Sequence, residues 1–248
     1  MHTVSASVEL PHPPSEAWKD LTRGARLGLW FADSGDLGPG GSFRFDFGDG
    51  DFFLGQVARW EPERALGLRW RFMGLGPTFQ IRFDLSPGGG GGTKVEVEDR
   101  GSRTTAEADS LREGWQDFLQ RLRRFAGTGT SCRYEWSQVI GTAALVGWSP
   151  PRVAQLLRDP TWWRAAFGGA EPGLSSPGEL QVSADLRDPA WAGAGTRAVA
   201  TVKTAPEGAY LGVTHAGWES LPPALRIPER RRFAGLWAQA LGQLERGS

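Results

Sequence analysis

The sequence predicts an α+β fold used twice: a curved antiparallel sheet wrapped around one long helix, then a diverged copy. Three observations carry this. Strands in the first half alternate between apolar and polar residues, less cleanly over Phe52 to Trp60, which describes a sheet with one buried and one wet face, hence an antiparallel one. A long amphipathic segment follows them. A Pro-opened helix, strands and a Trp-bearing terminal helix then recur in the second half.

In chain order, Thr3 to Leu10 alternates as a strand. Pro13-Pro14-Ser15 opens a short helix over Glu16 to Leu21, because proline is tolerated in a first helical turn. A second helical piece covers Ala25 to Phe31, and Gly38 to Gly41 is a turn. Four strands are expected at Ser42 to Phe47, Phe52 to Trp60, Leu66 to Phe72 and Phe79 to Leu85. They turn Phe43, Phe45, Phe47, Leu66, Leu68, Trp70, Phe72, Phe79, Ile81 and Phe83 to one side. Arg44, Arg69, Arg71 and Arg82 fall on the other side with Asp46, Asp84, Glu96 and Glu98, which reads as a cross-strand charge ladder. Gly88 to Gly92 makes a flexible hairpin loop before a last strand, Thr93 to Asp99. The helix from Thr105 to Phe125 carries the stripe Leu111, Trp115, Phe118, Leu119 and Leu122.

The segment 127–132 is small and polar and is expected to link a domain at 1–126 to one at 133–248. In the second, strands are expected at Tyr134 to Ile140, Glu179 to Leu186, Thr196 to Thr204 and Ala209 to His215. Helices are expected from Ser149-Pro150-Pro151 to Leu157, from Pro160 to Phe167 and from Pro228 to Leu244. Trp115, Leu119 and Leu122 recur as Trp237, Leu241 and Leu244, 122 residues on, and Gly101 recurs as Gly217, 116 residues on. On this reading the second half is one or two strands short. The duplication also suggests that the halves pack as a pseudo-dimer.

Composition excludes several functions. The 248 residues carry 28 basic and 28 acidic side chains, so no basic excess points to nucleic acid. The N-terminal residues lack the features of a secretion signal, and no apolar run is long enough to span a membrane. A single cysteine, Cys132, cannot form an internal disulfide and suits a reducing, cytoplasmic setting. His2, His12 and His215 show no ligand spacing, so neither a metal nor another cofactor is expected. Cys132 has no evident base, no nucleophile elbow occurs, and the glycine run lacks the residues of a phosphate loop.

The first half resembles the bacterial Hsp90-ATPase-activator-homologue family. Val8-Glu9-Leu10, Pro14 to Leu21, Trp30-Phe31, Pro39-Gly40-Gly41-Ser42-Phe43-Arg44-Phe45, Gly55-Gln56-Val57 with Pro62, Leu66 to Trp70, Gly92 to Val97 and Gly114-Trp115 occur in the family's order. In the second half Thr214-His215-Ala216-Gly217 resembles the family's strand-end signature, where the first half has Glu98-Asp99-Arg100-Gly101. The resemblance implies a helix-grip (START/Bet v 1-like) fold with space between sheet and helix. The wider superfamily binds lipids, sterols and polyketides and includes cyclases.

The inner face then supplies the candidate site: Phe45, Trp70, Phe72, Phe79, Ile81, Phe83, Trp115 and Phe118, lining a cavity or filling a core. His215 is the candidate polar contact, either at a cavity mouth or as a structural histidine. The first expectation is a non-catalytic binder of an apolar or aromatic small molecule. The alternative is a protein-interaction or chaperone-cofactor module. A cyclase ranks last, because only two tyrosines, Tyr134 and Tyr210, are present and the inner face reads as apolar.

Overall fold

A computed structural model describes residues 2–101, 105–168 and 170–247. The chain forms two compact units, Met1–Phe47 with Phe52–Glu135 and Gly48–Asp51 with Trp136–Ser248. Both are α+β helix-grip units, so the fold is a tandem duplicate.

The first unit runs β1 (His2–Leu10), α1 (Pro14–Thr22), α2 (Gly24–Trp30), β2 (Ser42–Asp46), β3 (Phe52–Glu61), β4 (Ala65–Phe72), β5 (Phe79–Pro87), β6 (Thr93–Gly101) and α3 (Thr105–Thr128). Its sheet has the order β1-β6-β5-β4-β3-β2 and every pair is antiparallel. Pro14 takes the first position of α1, where its missing N–H costs nothing. The Pro39-Gly40 turn closes with Gly41 N–H donating to Gly38 O, and Gly40 supplies the positive φ of 70° that such a turn requires.

β3 carries a bulge between Val57 and Arg59, which adds bend and twist to the sheet. At Gly55, in the same strand, an added methyl would lie 2.4 Å from Arg69 O and 2.5 Å from Phe43 Cζ. Gly55→Ala is therefore expected to destabilise the fold by about 1–3 kcal/mol, read as a lowered urea midpoint. An unchanged midpoint would mean that β4 yields freely there.

The wet-face charges pair differently from the expected ladder. Arg44–Asp46, Arg59–Glu61, Arg82–Asp84, Lys94–Glu96 and Arg100–Glu98 are ion pairs along single strands, two residues apart. Side chains at i and i+2 point to the same face, so each arginine or lysine reaches its own strand's carboxylate without crossing. These exposed pairs contribute little stability.

The segment expected as a linker begins inside α3, which runs to Thr128. Its end is held within the first unit. Cys132 N–H donates to Leu29 O at 2.9 Å, and Arg121 Nη1 donates to Cys132 O at 3.0 Å.

The second unit contains β7 (Ile140–Val146), α4 (Pro150–Leu157), α5 (Pro160–Phe167), β8 (Glu171–Gly178), β9 (Gln181–Arg187), β10 (Thr196–Ala205), β11 (Gly208–Ala216) and α6 (Pro223–Arg246). Sheet order is β7-β11-β10-β9-β8, which matches β1-β6-β5-β4-β3 of the first unit. Only the counterpart of β2 is missing among the described residues.

Three expectations are corrected. The first strand covers Ile140–Val146 rather than Tyr134 to Ile140, with Ile140, Thr142, Ala144 and Val146 turned inward. β8 was not foreseen: its Pro, Gly and Ser residues have poor strand propensity, but it lies at a sheet edge, where proline is tolerated. α6 starts at Pro223, not Pro228. Pro228 lies within it and removes one backbone bond close to the start.

Candidate functional site

In the first unit the strands place Phe45, Trp70, Ile81 and Phe83 against Trp115 of α3, each no more than 5% exposed. Phe72, Phe79 and Phe118 are half-buried at the rim of this group. Phe31, at the end of α2, sits among the inner rings. It lies nearly parallel to Trp70 and Trp115 at centroid distances of 6.4 and 6.5 Å, and Trp70 and Trp115 are parallel to each other at 6.1 Å. Phe83 meets Trp115 edge-on at 5.7 Å, and Phe45 meets Trp70 edge-on at 5.9 Å. Edge-to-face and offset arrangements are those favoured by the ring quadrupoles.

Among the described residues the inner-face rings pack closely. The void left among Leu21, Leu27, Trp30, Phe31, Phe45 and Trp70 has a volume of about 10 Å³. That is space for one water at most, far below a ligand pocket.

The inward face of β6 also carries polar groups, Thr93 and Asp99. β6 alternates Val95, Val97 and Asp99 toward the interior, and Asp99 is 2% exposed. Its Oδ2 accepts the Trp115 Nε1–H at 3.0 Å. The signal was available in the sequence: Asp99 shares its parity with Val95 and Val97, so a strand with those two valines inside must turn Asp99 inside as well. Phe31 was harder to place, because it follows a short helix and no periodicity assigns its direction.

A second buried carboxylate is carried by α1 itself. Asp20 is fully buried, 2.6 Å from Arg26 Nε and 2.9 Å from His12 Nε2. Burial raises its pKa, and the charges of Arg26 and His12 work against that rise. His12 and Arg26, both part-exposed, thus flank a buried carboxylate.

His215 lies in the core of the second unit and is 0% exposed. Trp237 Nε1–H donates to its Nδ1 at 3.0 Å, so Nδ1 is the bare nitrogen and Nε2–H donates to Thr196 Oγ1 at 2.8 Å. Trp218 Nε1–H bonds the His215 carbonyl at 3.1 Å, and the Phe233 ring stands edge-on at 5.3 Å. Burial, with help from the charge of Arg230, lowers the His215 pKa to about 3. The unfolded chain protonates this ring near pH 6.5, whereas the folded one resists until about pH 3. Stability from this group is therefore complete above 6.5 and is lost as pH falls toward 3, at about 1.4 kcal/mol per pH unit. The expected result is that wild type and His215→Gln converge in stability as the pH drops through this window, measured by urea midpoints. Parallel curves would show that the ring is not held neutral.

Among the described residues no three His, Cys, Asp or Glu side chains come together as a metal site requires, and no helix is long and apolar enough to cross a membrane.

Residues 11–127 match the model of the Activator of Hsp90 ATPase homolog 1-like protein family. The first unit belongs to this family. Its helix-grip architecture, with the inner face against α3, is the AHSA1-like one. Across its whole length the chain is similar to the crystal structure of DynU16, a protein in the dynemicin biosynthetic locus. The two are 29% identical over 98% of each chain, with a TM-score of 0.84. CalU16 from Micromonospora echinospora is 26% identical over 51% of this chain and 77% of its own, with a TM-score of 0.44. The Aha1 protein of Colwellia psychrerythraea, solved as a dimer, is 20% identical over 52% of this chain and 98% of its own, with a TM-score of 0.45. No curated protein matches. A helix-grip chain of this kind is a ligand-binding or cofactor-like module.

Proposed function

We propose that this chain is a non-catalytic binding protein whose AHSA1-like unit takes an apolar, aromatic small molecule between its sheet and α3. The observation that carries this reading is the inner face itself. Three near-parallel rings, Phe31, Trp70 and Trp115, stand with centroids 6.1 to 6.5 Å apart, and the Trp115 indole bonds the inward carboxylate of Asp99. Apolar walls with few polar anchors are the pattern of small-molecule sites. The described rings pack closely, so a ligand enters by displacing them. Candidate acids and bases are engaged elsewhere: Asp20 with Arg26 and His12, His215 with Thr196 and Trp237. The whole-chain likeness to a protein of the dynemicin biosynthetic locus favours a small molecule as the ligand class.

A second reading, a protein-interaction module without a small ligand, is favoured by the packed core. Native mass spectrometry of protein purified from its own cells, compared with the same sample after denaturation, separates the two. A small molecule released on denaturation is expected. A clean apo mass together with a stoichiometric co-purifying protein would replace the first reading by the second.

A further inference from the structure

The second unit buries two titratable groups whose hydrogen bonds treat a proton in opposite ways. His215 has no place for a second one. Its Nδ1 accepts the Trp237 indole N–H at 3.0 Å, and its Nε2–H goes to Thr196 Oγ1 at 2.8 Å. An imidazolium would turn Nδ1 from acceptor to donor and break the indole bond. The Trp218, Phe233 and Trp237 rings that touch it are all 0% exposed.

The loop Gly48–Asp51, which belongs to the same unit, is the converse case. Two carboxylates, Asp49 at 0% and Asp51 at 8% exposure, face one buried guanidinium, Arg230 of α6. With both ionised, the cluster holds one negative charge in excess, which a dry site disfavours. Little else is charged nearby. Arg231 of α6 is exposed and donates to Gly48 O, where solvent screens it, and the segment on the other side of Arg230 supplies only the uncharged Ser137 O and Val139 O. Asp49 accepts the Asp51 N–H on Oδ1 and the Ser137 N–H on Oδ2. Asp51 Oδ2 accepts from Arg230 Nη2 at 2.7 Å, whereas its Oδ1 is buried and meets no hydrogen-bond partner among the described residues. A proton on Oδ1 therefore removes the excess charge and leaves the guanidinium bond in place.

We infer that the second unit is a proton-compensated core: in mild acid the folded unit carries at Asp51 Oδ1 the proton that the unfolded chain carries on His215, and so keeps its stability although it buries a neutral histidine.

The direction of each titration agrees. Burial pushes Asp51 up from 3.8 to about 6, against the pull of Arg230, and pushes His215 down from 6.5 to about 3, with help from the same Arg230 charge. The Asp51 contribution to stability is complete below 3.8 and is lost as pH rises through 6. The His215 contribution is complete above 6.5 and is lost as pH falls toward 3. Between about pH 4 and 6 the folded unit holds one proton more at Asp51 and one fewer at His215 than the unfolded chain, so the two slopes nearly cancel.

The test uses the full chain and follows its second unit by the Trp237 indole N–H signal in NMR, assigned with Trp237→Phe, while urea midpoints are read between about pH 4 and 6. Relative to wild type, Asp51→Asn, which keeps an oxygen for Arg230, is expected to lose about 10-fold in its folding equilibrium per pH unit of acidification. His215→Gln is expected to gain about as much, and the double variant to run parallel to wild type. An Asp51→Asn curve parallel to wild type would overturn the compensation. The carboxyl carbon signals of the wild type give a second, direct reading that holds even if Asp51→Asn fails to fold. Asp51 is expected to titrate near pH 6. A fully ionised Asp51 signal at about pH 5 would overturn the inference, and titration of Asp49 in its place would overturn the assignment of the proton to Asp51 Oδ1.

Discussion

Arg230→Met is expected to cost the second unit about 3–5 kcal/mol. Arg230 is 0% exposed, as is Asp49, and both lie in the compact second unit with Asp51. Its guanidinium donates to Ser137 O at 2.6 Å, Asp49 O at 2.8 Å, Asp51 Oδ2 at 2.7 Å and Val139 O at 2.9 Å. Asp49 also receives the Asp51 and Ser137 N–H groups on its two carboxylate oxygens. Burial pushes the Asp51 pKa up to about 6 although Arg230 pulls it down, which shows how dry the site is. Removing the guanidinium strands two carboxylates and three carbonyls together. Arg230→Lys is expected to recover little, since an ammonium cannot span the fork of acceptors. Urea denaturation of the three proteins gives the answer. A loss below about 1 kcal/mol for Arg230→Met would mean that water enters and solvates the cluster.

Trp115→Ala is expected to cost the first unit about 3–5 kcal/mol. The ring is 3% exposed and touches Phe31, Trp70, Phe83 and Phe118, and its deletion leaves a cavity that those rings cannot close without leaving their rotamers. The indole N–H bond to Asp99 is lost as well. Trp115→Phe separates the two contributions, because it keeps much of the volume and removes only the donor, at about 1–3 kcal/mol. Denaturant midpoints should rank wild type above Trp115→Phe and Trp115→Ala lowest. Equal losses in the two variants would assign the whole effect to the hydrogen bond.

Local sequence was most informative where one physical rule acted alone. Ser42–Asp46 and Phe79–Pro87 are strands because one face must be dry and the other wet, and that leaves a period of two in the residues. It failed where two tendencies competed. β8 is a strand because β9 offers it a hydrogen-bonded edge, while Pro172, Gly173 and Pro177 argue against a strand locally. Of the candidate site, Phe45, Trp70, Ile81, Phe83 and Trp115 do converge. Asp99 was legible by parity but was passed over among the outward acids Glu96 and Glu98.

Taken by itself, the sequence determined the α+β class, the doubling of the unit and the aromatic inner face, because each follows from periodicities and spacings within short windows. Tertiary structure alone decided that His215 is bound at both nitrogens, and that Arg230 meets Asp49 and Asp51, 181 and 179 residues away. Those outcomes depend on volumes and directions summed over elements far apart in the chain, and no local pattern encodes such a sum.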